Sequence, residues 1–489
     1  MGSPPNVVVV VMDTARARET VRPDHRETTL PALDGLAEGG TEYTQALASA
    51  PWTLPSHASL FTGTYPSKHG AHAGHRRLDD DLPTLAEAFR SDGYETVAVS
   101  NNTWISGEFG FARGFDTLYK TWQYVQTDTD LGEIARTKRG SELVRGLAAR
   151  LAEGNPAINI ANAIYGRFFR KRTDNGARRT NEWIRRWLAD RRHDDPFFCF
   201  VNYLEPHLEY RPPQALAEQY LPEGVTYDEA MAVPQDAWGY IAGTVDLTER
   251  ELDVLRALYR AELAYLDRRI DELRSHLEAA DEFENTVFVV TGDHGENIGD
   301  HGLMDHQYCL YDTLLHVPLV VHGGGFEDGR VDELVQLTDL APTLLDAAGI
   351  DAPEMREGFQ GRSFHPTAET EPREHAIAEY MAPQPSMAAL REQVGTPADD
   401  IERFDRSLRA IRTGDEKLIR GSDGTREFYD IDDDPAESAN RATENRERVA
   451  ALETTLDDWL DSFAHAETSG TVSMADSTRA RLEDLGYLQ

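Results

Sequence analysis

The sequence predicts an α/β fold, in which a mostly parallel sheet lies between helices and a smaller α+β subdomain follows at the C-terminus. One observation is a continuous run of valines from Val7 to Val11, which is typical of a strand buried on both faces of a parallel sheet. Another is the alternation of strand-like and helix-like segments, the pattern of a doubly wound domain. A third is that polar residues follow several of these strands, where open α/β sheets carry their functional groups.

Glycine and proline positions and the hydrophobic period set the bounds of each predicted element. Pro55 suits the first turn of a helix because its missing N–H would be unpaired there anyway. Apolar residues at helical spacing between Leu252 and Leu273 predict a long amphipathic helix. In chain order, the main body is predicted to contain a strand over 7–11, a helix over 30–38 ended by Gly39-Gly40, a strand over 43–48, a helix over 55–62 ended by Gly63, a helix over 82–91 opened by Pro83, strands over 94–100 and 197–203, a helix over 247–279, strands over 286–290 and 317–322, and a helix over 339–348.

The pattern changes after about residue 370, and this divides the chain. We predict a main α/β domain over 1–370, a C-terminal α+β subdomain over 371–466 and a tail over 467–489. The subdomain is expected to contain short strands over 375–380, 408–413, 417–420 and 427–431 and a closing helix over 446–464. A helix-rich, locally basic insert over 121–195 interrupts the main domain. We interpret it as a solvated helical lid that is salt-bridged to the acidic body, and a guide for an anionic substrate is the alternative.

The chain is strongly acidic, with a formal net charge of −37 over 489 residues. Such a surface repels nucleic acid and anionic membranes, so neither is an expected partner. Only five of the basic residues are lysine, namely Lys68, Lys120, Lys138, Lys171 and Lys417. Acid excess with scarce lysine indicates adaptation to high salt, where screening removes the self-repulsion of the charge.

The sequence contains two cysteines, Cys199 and Cys309, and both lie inside apolar runs. We expect buried thiols rather than a disulfide. No run approaches the roughly 18 apolar residues that a membrane helix requires, and residues 1–6 carry no basic region followed by an apolar one. A cytoplasmic protein is the simplest expectation.

The stretch from Ala50 to Gly70, APWTLPSHASLFTGTYPSKHG, is predicted to be an exposed turn carrying Thr53, followed by a short helix. A hydroxyl at a helix N-terminus lies where a phosphate-like or sulfate-like group is favoured. An ordinary loop-to-helix junction, with Thr53 as its cap, is the plainer interpretation.

Three predicted strand ends carry metal-binding or acid-base groups: Asp13, His207, and the pair Asp293-His294. Thr53, His301 and His306 join this set. Carboxylate and imidazole ligands on a divalent cation explain the set economically, because a cation lowers the pKa of a threonine hydroxyl that coordinates it, here Thr53, and neutralises an approaching anion. Asp and His ligands suit zinc or manganese, and calcium is the other candidate.

Several ordered motifs resemble the sulfatase family within the alkaline phosphatase superfamily: NVVVVVMDT, WTLPSHASLFTGTYPSKHG, VNYLEPH, TVFVVTGDHGENIGDHGLMDH and LLHVPLVVHG. The resemblance extends to AIRTGDEKLIR and EFYDIDDDPAESAN in the C-terminal subdomain, and the insert is the part without a match. It implies a metal held by Asp13, Asp293 and His294, with Thr53 at the nucleophile position. It also places His207 and His306 where superfamily members bind the substrate anion, assist the leaving group or hold a second metal.

The chain departs from the sulfatase pattern at the nucleophile. Sulfatases carry Cys or Ser at the position of Thr53, matured to formylglycine, and an arginine at the position of His57. Threonine cannot give that aldehyde, because its methyl group would leave a ketone. A lysine of the family is replaced by Asn101, another by His306, and one aspartate follows the first strand where sulfatases have two. The nucleophile stretch is instead similar to that of nucleotide pyrophosphatases/phosphodiesterases, which use threonine and two zinc ions.

These resemblances imply attack of Thr53 on a phosphate or sulfate ester, with a phosphate mono- or diester favoured. The substrate would be a small molecule or a glycan- or lipid-derived ester, with Asn101 and His57 near the anion and His306 or His207 as general acid. The alternatives are a sulfatase that dispenses with formylglycine, a phosphoalcohol transferase and a non-catalytic anion-binding protein.

The charge composition predicts that stability depends on salt. Raising the salt concentration from about 0.1 M to about 1 M shortens the Debye length from about 10 Å to about 3 Å, so we expect the free energy of unfolding to rise over this range. Urea denaturation at each salt concentration measures it. Undiminished stability and full refolding at low ionic strength would contradict the prediction.

Overall fold

A nine-stranded mixed sheet forms the centre of the computed structural model, which describes residues 3–21, 27–123, 174–192, 195–395 and 401–467. The strands are β1 (Asn6–Met12), β2 (Gly40–Leu47), β3 (Glu95–Ser100), β4 (Thr117–Lys120), β5 (Phe197–Tyr203), β6 (Thr286–Gly292), β7 (Asn297–Ile298), β8 (Met304–Asp305), β9 (His316–Val317), β10 (Leu319–His322), β11 (Gly329–Gln336), β12 (Ala376–Tyr380), β13 (Leu408–Arg412), β14 (Glu416–Gly421) and β15 (Arg426–Asp430).

Helices cover the sheet. They are α1 (Ala17–Thr20), α2 (Pro31–Glu38), α3 (Thr53–Thr62), α4 (Pro66–His69), α5 (Leu85–Ser91), α6 (Ala177–Asp190), α7 (Gln214–Tyr220), α8 (Tyr227–Met231), α9 (Ala237–Ile241), α10 (Glu249–Ala279), α11 (Asp312–Leu315), α12 (Leu340–Ala348), α13 (Pro353–Gly358), α14 (Met387–Val394) and α15 (Arg446–Asp461). Short 3₁₀ turns lie at Gly107–Phe109, Phe283–Asn285, Asp300–Gly302, Leu337–Asp339 and Ile401–Phe404.

The strand order of the large sheet is β11-β2-β10-β6-β1-β5-β3-β4, with β9 paired to β2. The central strand β1 runs parallel to both β5 and β6, and β3 runs parallel to β5. Every residue of β1, β5 and β6 is buried, which explains their unbroken β-branched and aromatic composition. The predicted α/β class with a mostly parallel sheet is therefore confirmed.

The sheet differs from the sequence prediction at its two edges and at one proline. The edge strands β4 and β11 were not predicted, because a strand with an exposed flank lacks the continuous apolar run of a central strand. The predicted strand 317–322 is divided at Pro318 into β9 and β10, since proline has no N–H for the ladder.

The expectation that Thr53 lies on an exposed turn is wrong. Thr53 is the first residue of α3, and all ten residues of this helix are buried. The helix packs its Phe61 ring 4.8 Å from the Phe200 ring of the central sheet. At its end, Gly63 has a φ of 65°, and a Cβ there would lie 2.4 Å from the Phe359 ring, so only glycine fits this helix end.

Most of the predicted basic insert, residues 124–173, lies outside the described residues. Its described end forms α6, which packs against the long helix α10 and buries Ile184. The Nε1–H of Trp187 donates to Glu95 at 2.7 Å, and Arg191 forms ion pairs with Glu95 and Glu282. Residues 177–190 of the predicted insert therefore form a helix that packs against the main domain.

Strands β12 to β15 form a separate antiparallel sheet in the C-terminal region, as the predicted α+β subdomain requires. Helix α15 covers it through Val449, Leu452 and Leu456, and Tyr65 reaches the same apolar cluster from the main body. Both cysteines are buried and free. No helix of the described ranges combines the length and apolar composition needed to cross a bilayer.

A buried ion-pair network links the two parts. The Lys417 ammonium group, on β14, lies 2.8 Å from a carboxylate oxygen of Asp312 and 2.8 Å from one of Glu437. The Lys417 side chain is fully buried, so its charge is compensated by these carboxylates rather than by water.

We predict that Lys417→Met lowers the free energy of unfolding by about 3–5 kcal/mol, because it leaves the buried Glu437 carboxylate without a counter-charge, while Asp312 keeps its ion pair with Arg412. Chemical denaturation at constant high salt measures this loss. Arg448→Ala is the matched control, since Arg448 pairs with Glu416 in the same subdomain while remaining largely exposed, and its loss should be below about 1 kcal/mol. Equal losses for the two variants would contradict the prediction.

Candidate active site and metal centre

The carboxyl ends of four adjacent parallel strands converge on one buried site. Met12 at the end of β1 is in register with Gly292 at the end of β6, so the next residues, Asp13 and Asp293, lie side by side. His294 follows directly. Strand β3 leads to Asn102 and strand β5 leads to His207, and these strands lie on the other side of β1.

Asp13, Asp293 and His294 form a cluster whose ligand atoms all lie within 4.8 Å of one another. The three side chains are fully buried. The Nε2 atom of His294 lies 3.3 Å from Asp293 Oδ2 and 3.9 Å from Asp13 Oδ1. The three predicted metal ligands therefore come together.

The hydrogen bonds of these residues leave one donor atom of each facing the others. Asp293 Oδ1 accepts from the backbone N–H groups of Thr14 and His294, whereas Asp293 Oδ2 and Asp13 Oδ1 have no hydrogen-bond partner among the described residues. His294 Nδ1 lies 2.9 Å from the Gly295 carbonyl oxygen, to which only a protonated Nδ1 can donate. Nε2 then carries the lone pair, and the set fits a divalent cation with mixed oxygen and nitrogen ligands.

The electrostatics of the cluster agree with this fit. Burial raises the pKa of Asp13, and burial together with the Asp13 charge raises the pKa of Asp293 well above its usual range. Burial lowers the pKa of His294, which keeps the imidazole in the neutral form that binds metals. Two carboxylates so close together cannot both be charged without a cation or a proton between them.

Helix α3 brings the Thr53 hydroxyl to the cluster. Thr53 Oγ1 lies 3.3 Å from His294 Nε2 and accepts a hydrogen bond from Asn102 Nδ2 at 3.3 Å. The helix is fixed here by Ser56, whose hydroxyl donates to the Asp293 carbonyl oxygen at 2.6 Å. The predicted nucleophile is therefore in contact with a predicted metal ligand, although it lies in a buried helix.

His57 supports the site from within α3. Its Nδ1–H donates to the Thr53 carbonyl oxygen at 2.9 Å, and the same nitrogen lies 3.5 Å from Asp293 Oδ2. Burial lowers the pKa of His57 to about 4, so the ring is neutral at physiological pH. Its edge packs against Phe200, which leaves it beside the backbone of the nucleophile.

The two asparagines that follow β3 point in different directions. Asn101 Oδ1 accepts from the hydroxyls of Thr121 and Thr180, at 2.6 and 3.0 Å. Asn102 contacts Asp13 and Thr53 instead. Asn101 was the predicted site residue, whereas Asn102 is the asparagine that contacts the metal cluster, and only the alternation of side chains along an extended segment distinguishes the two.

A second buried cluster contains His207, Asp305 and His306, whose ligand atoms also lie within 4.8 Å of one another. The ring of His306 lies 5.3 Å from that of His207 and 4.6 Å from that of His294, measured between centroids. The predicted pair of histidines is thus beside the metal cluster. His301, in contrast, is exposed and stacks on Tyr311.

Sequence reasoning missed the carboxylates that accompany His306. Asp305 forms an ion pair with His306 Nδ1, and Glu296 Oε1 lies 3.5 Å from the same nitrogen. Burial alone would lower the pKa of His306, but these carboxylates outweigh it and raise the pKa well above its usual value. The signal was available, since Asp305 directly precedes His306 and Glu296 follows Asp293-His294 within the same motif.

We predict that Asp293→Asn removes cation binding while leaving the cation-free protein at least as stable. The amide oxygen can still accept from the Thr14 and His294 backbone, and one of two repelling charges is gone. Thermal unfolding with and without Zn²⁺, Mn²⁺ or Ca²⁺ measures this. At a cation concentration of 100 Kd the wild-type protein should gain about 2.7 kcal/mol, and the variant should gain nothing.

Asp346→Asn is the control for that experiment, because Asp346 pairs with Arg356 on the surface. It should respond to the cation as the wild-type protein does. Elemental analysis of the purified proteins gives the same comparison without heating. A full cation response of Asp293→Asn would contradict the assignment of this cluster.

Comparisons with known proteins agree with this architecture. Arylsulfatase K of Homo sapiens is 25% identical over 481 residues, covering 92% of this chain and 81% of that protein. Choline-sulfatase of Rhizobium meliloti (strain 1021) is 25% identical over 463 residues, covering 90% and 83%. Among solved structures, phosphonate monoester hydrolase of Agrobacterium radiobacter matches with a TM-score of 0.66 and 20% identity, over 94% of this chain and 95% of that chain. A 2-O GAG sulfatase matches with a TM-score of 0.66 and 19% identity, over 94% and 92%.

The structural likenesses, at this level of identity, show the fold. The model of the family described as Sulfatase matches residues 5–350, which include both clusters, Thr53 and Asn102. The resemblance noted from the sequence motifs is thereby confirmed. Since this match covers well over half of the chain, the protein belongs to the sulfatase family of ester hydrolases.

Proposed function

We propose that this protein hydrolyses phosphate esters, with phosphodiesters included, through Thr53 as the covalent nucleophile. The observation that carries the proposal is the position of Thr53 Oγ1, 3.3 Å from His294 Nε2 and within hydrogen-bond reach of Asn102. Thr53 is also the first residue of α3, and the N-terminus of a helix favours an anion.

The identity of residue 53 favours phosphate over sulfate. A threonine cannot be oxidised to the aldehyde that the formylglycine of sulfatases requires, but its hydroxyl can attack phosphorus and form a phosphothreonine ester. The names of the relatives include arylsulfatase and choline-sulfatase, so a sulfatase that works without formylglycine is the second candidate. The proposed substrate is a small-molecule, glycan-derived or lipid-derived ester.

Each step has a candidate residue. A divalent cation held by Asp13, Asp293 and His294 would supply positive charge to a non-bridging oxygen and to the nucleophile. Thr53 would lose its proton to solvent and attack phosphorus as the alkoxide, while the bond from phosphorus to the leaving oxygen breaks and Asn102 donates to Thr53 Oγ1. His306, held between Asp305 and Glu296, donates a proton to the leaving oxygen and then withdraws one from the hydrolytic water. His207 lies beside His306 and would orient the substrate anion.

The first test of the proposal is the nucleophile. We expect Thr53→Ala to lower kcat by more than about 10³-fold, the scale on which loss of a covalent nucleophile acts, and Thr53→Ser to retain measurable activity. Chromogenic phosphate monoesters, phosphate diesters and sulfate esters are assayed side by side with the same alcohol. Acid quenching during turnover, followed by peptide mass analysis, should find the phosphoryl group on Thr53.

Thr62→Val is the matched control, because Thr62 lies on the last turn of the same helix and its hydroxyl bonds to the Ala58 carbonyl oxygen and to Thr64 rather than to the metal cluster. Full activity of Thr53→Ala would exclude the covalent mechanism. Faster sulfate than phosphate hydrolysis would favour the second candidate. If the cation-loaded wild-type protein hydrolyses no ester, the result would favour a non-catalytic anion-binding protein.

The role of His306 has its own test. If His306 protonates the leaving oxygen, His306→Gln should cost little with a good leaving group such as 4-nitrophenolate and about 10²–10⁴-fold with a poor leaving group such as an alkyl alcohol. Steady-state kinetics with both esters measures this difference. Equal losses for both, together with loss of one bound ion in elemental analysis, would instead make His207, Asp305 and His306 a second cation site.

A further inference from the structure

We propose that Asn102 is a positioning residue for the reaction, holding the nucleophilic oxygen and one ligand of the cation with the same amide group. Its Nδ2 donates to Asp13 Oδ2 at 2.6 Å and to Thr53 Oγ1 at 3.3 Å. The part that concerns Thr53 rests on the function proposed above. The part that concerns Asp13 depends on the metal cluster alone.

The orientation of the Asn102 amide is set by its other contacts. Its Oδ1 accepts from the backbone N–H of Trp104 at 3.0 Å, and its own backbone N–H donates to Asn202 Oδ1 at 3.0 Å. The side chain is fully buried. If the amide were turned over, its oxygen would lie 2.6 Å from a carboxylate oxygen and its NH₂ would face a donor, so only one orientation satisfies the hydrogen bonds.

This orientation decides how Asp13 can bind a cation. Asn102 occupies Asp13 Oδ2, and Asp13 Oδ1 remains without a hydrogen-bond partner among the described residues, 3.9 Å from His294 Nε2. Asp13 can then offer one oxygen to the cation while the other is held. Groups that orient a metal ligand in this way typically contribute 10–100-fold to metal affinity.

The same amide also acts on Thr53. A donor directed at Oγ1 occupies one lone pair and leaves the hydroxyl proton to point elsewhere, toward His294 or an incoming substrate. As Oγ1 becomes negative during deprotonation and attack, a preformed donor of this kind stabilises the charge more in the transition state than in the ground state. Asn102 should therefore affect kcat more than KM.

The test compares Asn102→Ala and Asn102→Leu with the wild-type protein. Both variants lose the donor, and we expect kcat to fall about 10²-fold while KM changes by less than about 2-fold. Asn102→Leu keeps a branched side chain of similar length without placing a further charge beside Asp13, so it carries this readout if Asn102→Ala does not fold. Titration with Zn²⁺ and Mn²⁺ should give about 10–100-fold weaker binding for Asn102→Ala.

Asn101→Ala is the matched comparison, because the adjacent amide contacts Thr121 and Thr180 rather than Asp13 and Thr53. A loss in kcat equal to that of Asn102→Ala would overturn the proposal. So would a wild-type kcat in Asn102→Leu, or unchanged cation affinity in Asn102→Ala.

Cation titration is repeated in the Thr53→Ala background, where no covalent chemistry is possible. If Asn102→Ala weakens Zn²⁺ and Mn²⁺ binding in this background, Asn102 orients Asp13 as a cation ligand even if Thr53 proves not to be the nucleophile. Unchanged binding there overturns that action, whatever the substrate and mechanism are. The failure of the proposed function and the failure of this inference are therefore separate results.

Discussion

The proximity of two buried carboxylates is the constraint on which the site depends. Asp13 and Asp293 are both fully buried, and within the part of the chain that the structure describes each has one oxygen without a hydrogen bond while the other accepts one. Burying two like charges is strongly unfavourable unless a cation or a proton compensates them. The neutral imidazole of His294 completes a ligand set, but it cannot compensate the charge. The arrangement therefore has the properties of a binding site for a divalent cation.

The central sheet creates this proximity. Parallel strands β1 and β6 end in register, so the residue after each end lies beside its neighbour, and no loop is needed to bring Asp13 to Asp293. The same edge receives Asn102 from β3 and His207 from β5. Buried strands hold the ligands, and the buried helix α3 brings Thr53 to them from the side. Side chains fixed by buried strands and a buried helix suit chemistry that depends on electrostatic preorganisation.

Sequence patterns correctly predicted the strands that are surrounded by apolar residues on both faces. Strands β1, β5 and β6 are buried on both faces, so composition alone revealed them, and the metal ligands followed because they come directly after these strands. Prediction failed where the structure of a segment depends on packing against residues distant in the sequence. Edge strand β11 carries charged residues on its exposed half, and the burial of Thr53 depends on packing of α3 against the sheet and the C-terminal half of the chain. Whether Asn101 or Asn102 points into the site depends on a single step of side-chain alternation. The role of Asp305 and Glu296 becomes visible only from their short distances to His306 in the structure.

The distribution of lysine connects the composition to the structure. Lys120 and Lys417 are buried, and Lys68 is half-buried with its ammonium group donating to the Gly358 carbonyl oxygen at 2.6 Å. No lysine in the described ranges is therefore fully exposed, and the exposed cations there are arginines, as at Arg185 and Arg186 beside Glu182. A lysine ammonium is a compact, strongly hydrated charge, whereas a guanidinium is weakly hydrated and pairs with carboxylates in a planar fork. If water is scarce because salt competes for it, a lysine ammonium group loses the least hydration where the protein already binds it, and Lys68 and Lys417 occupy such positions.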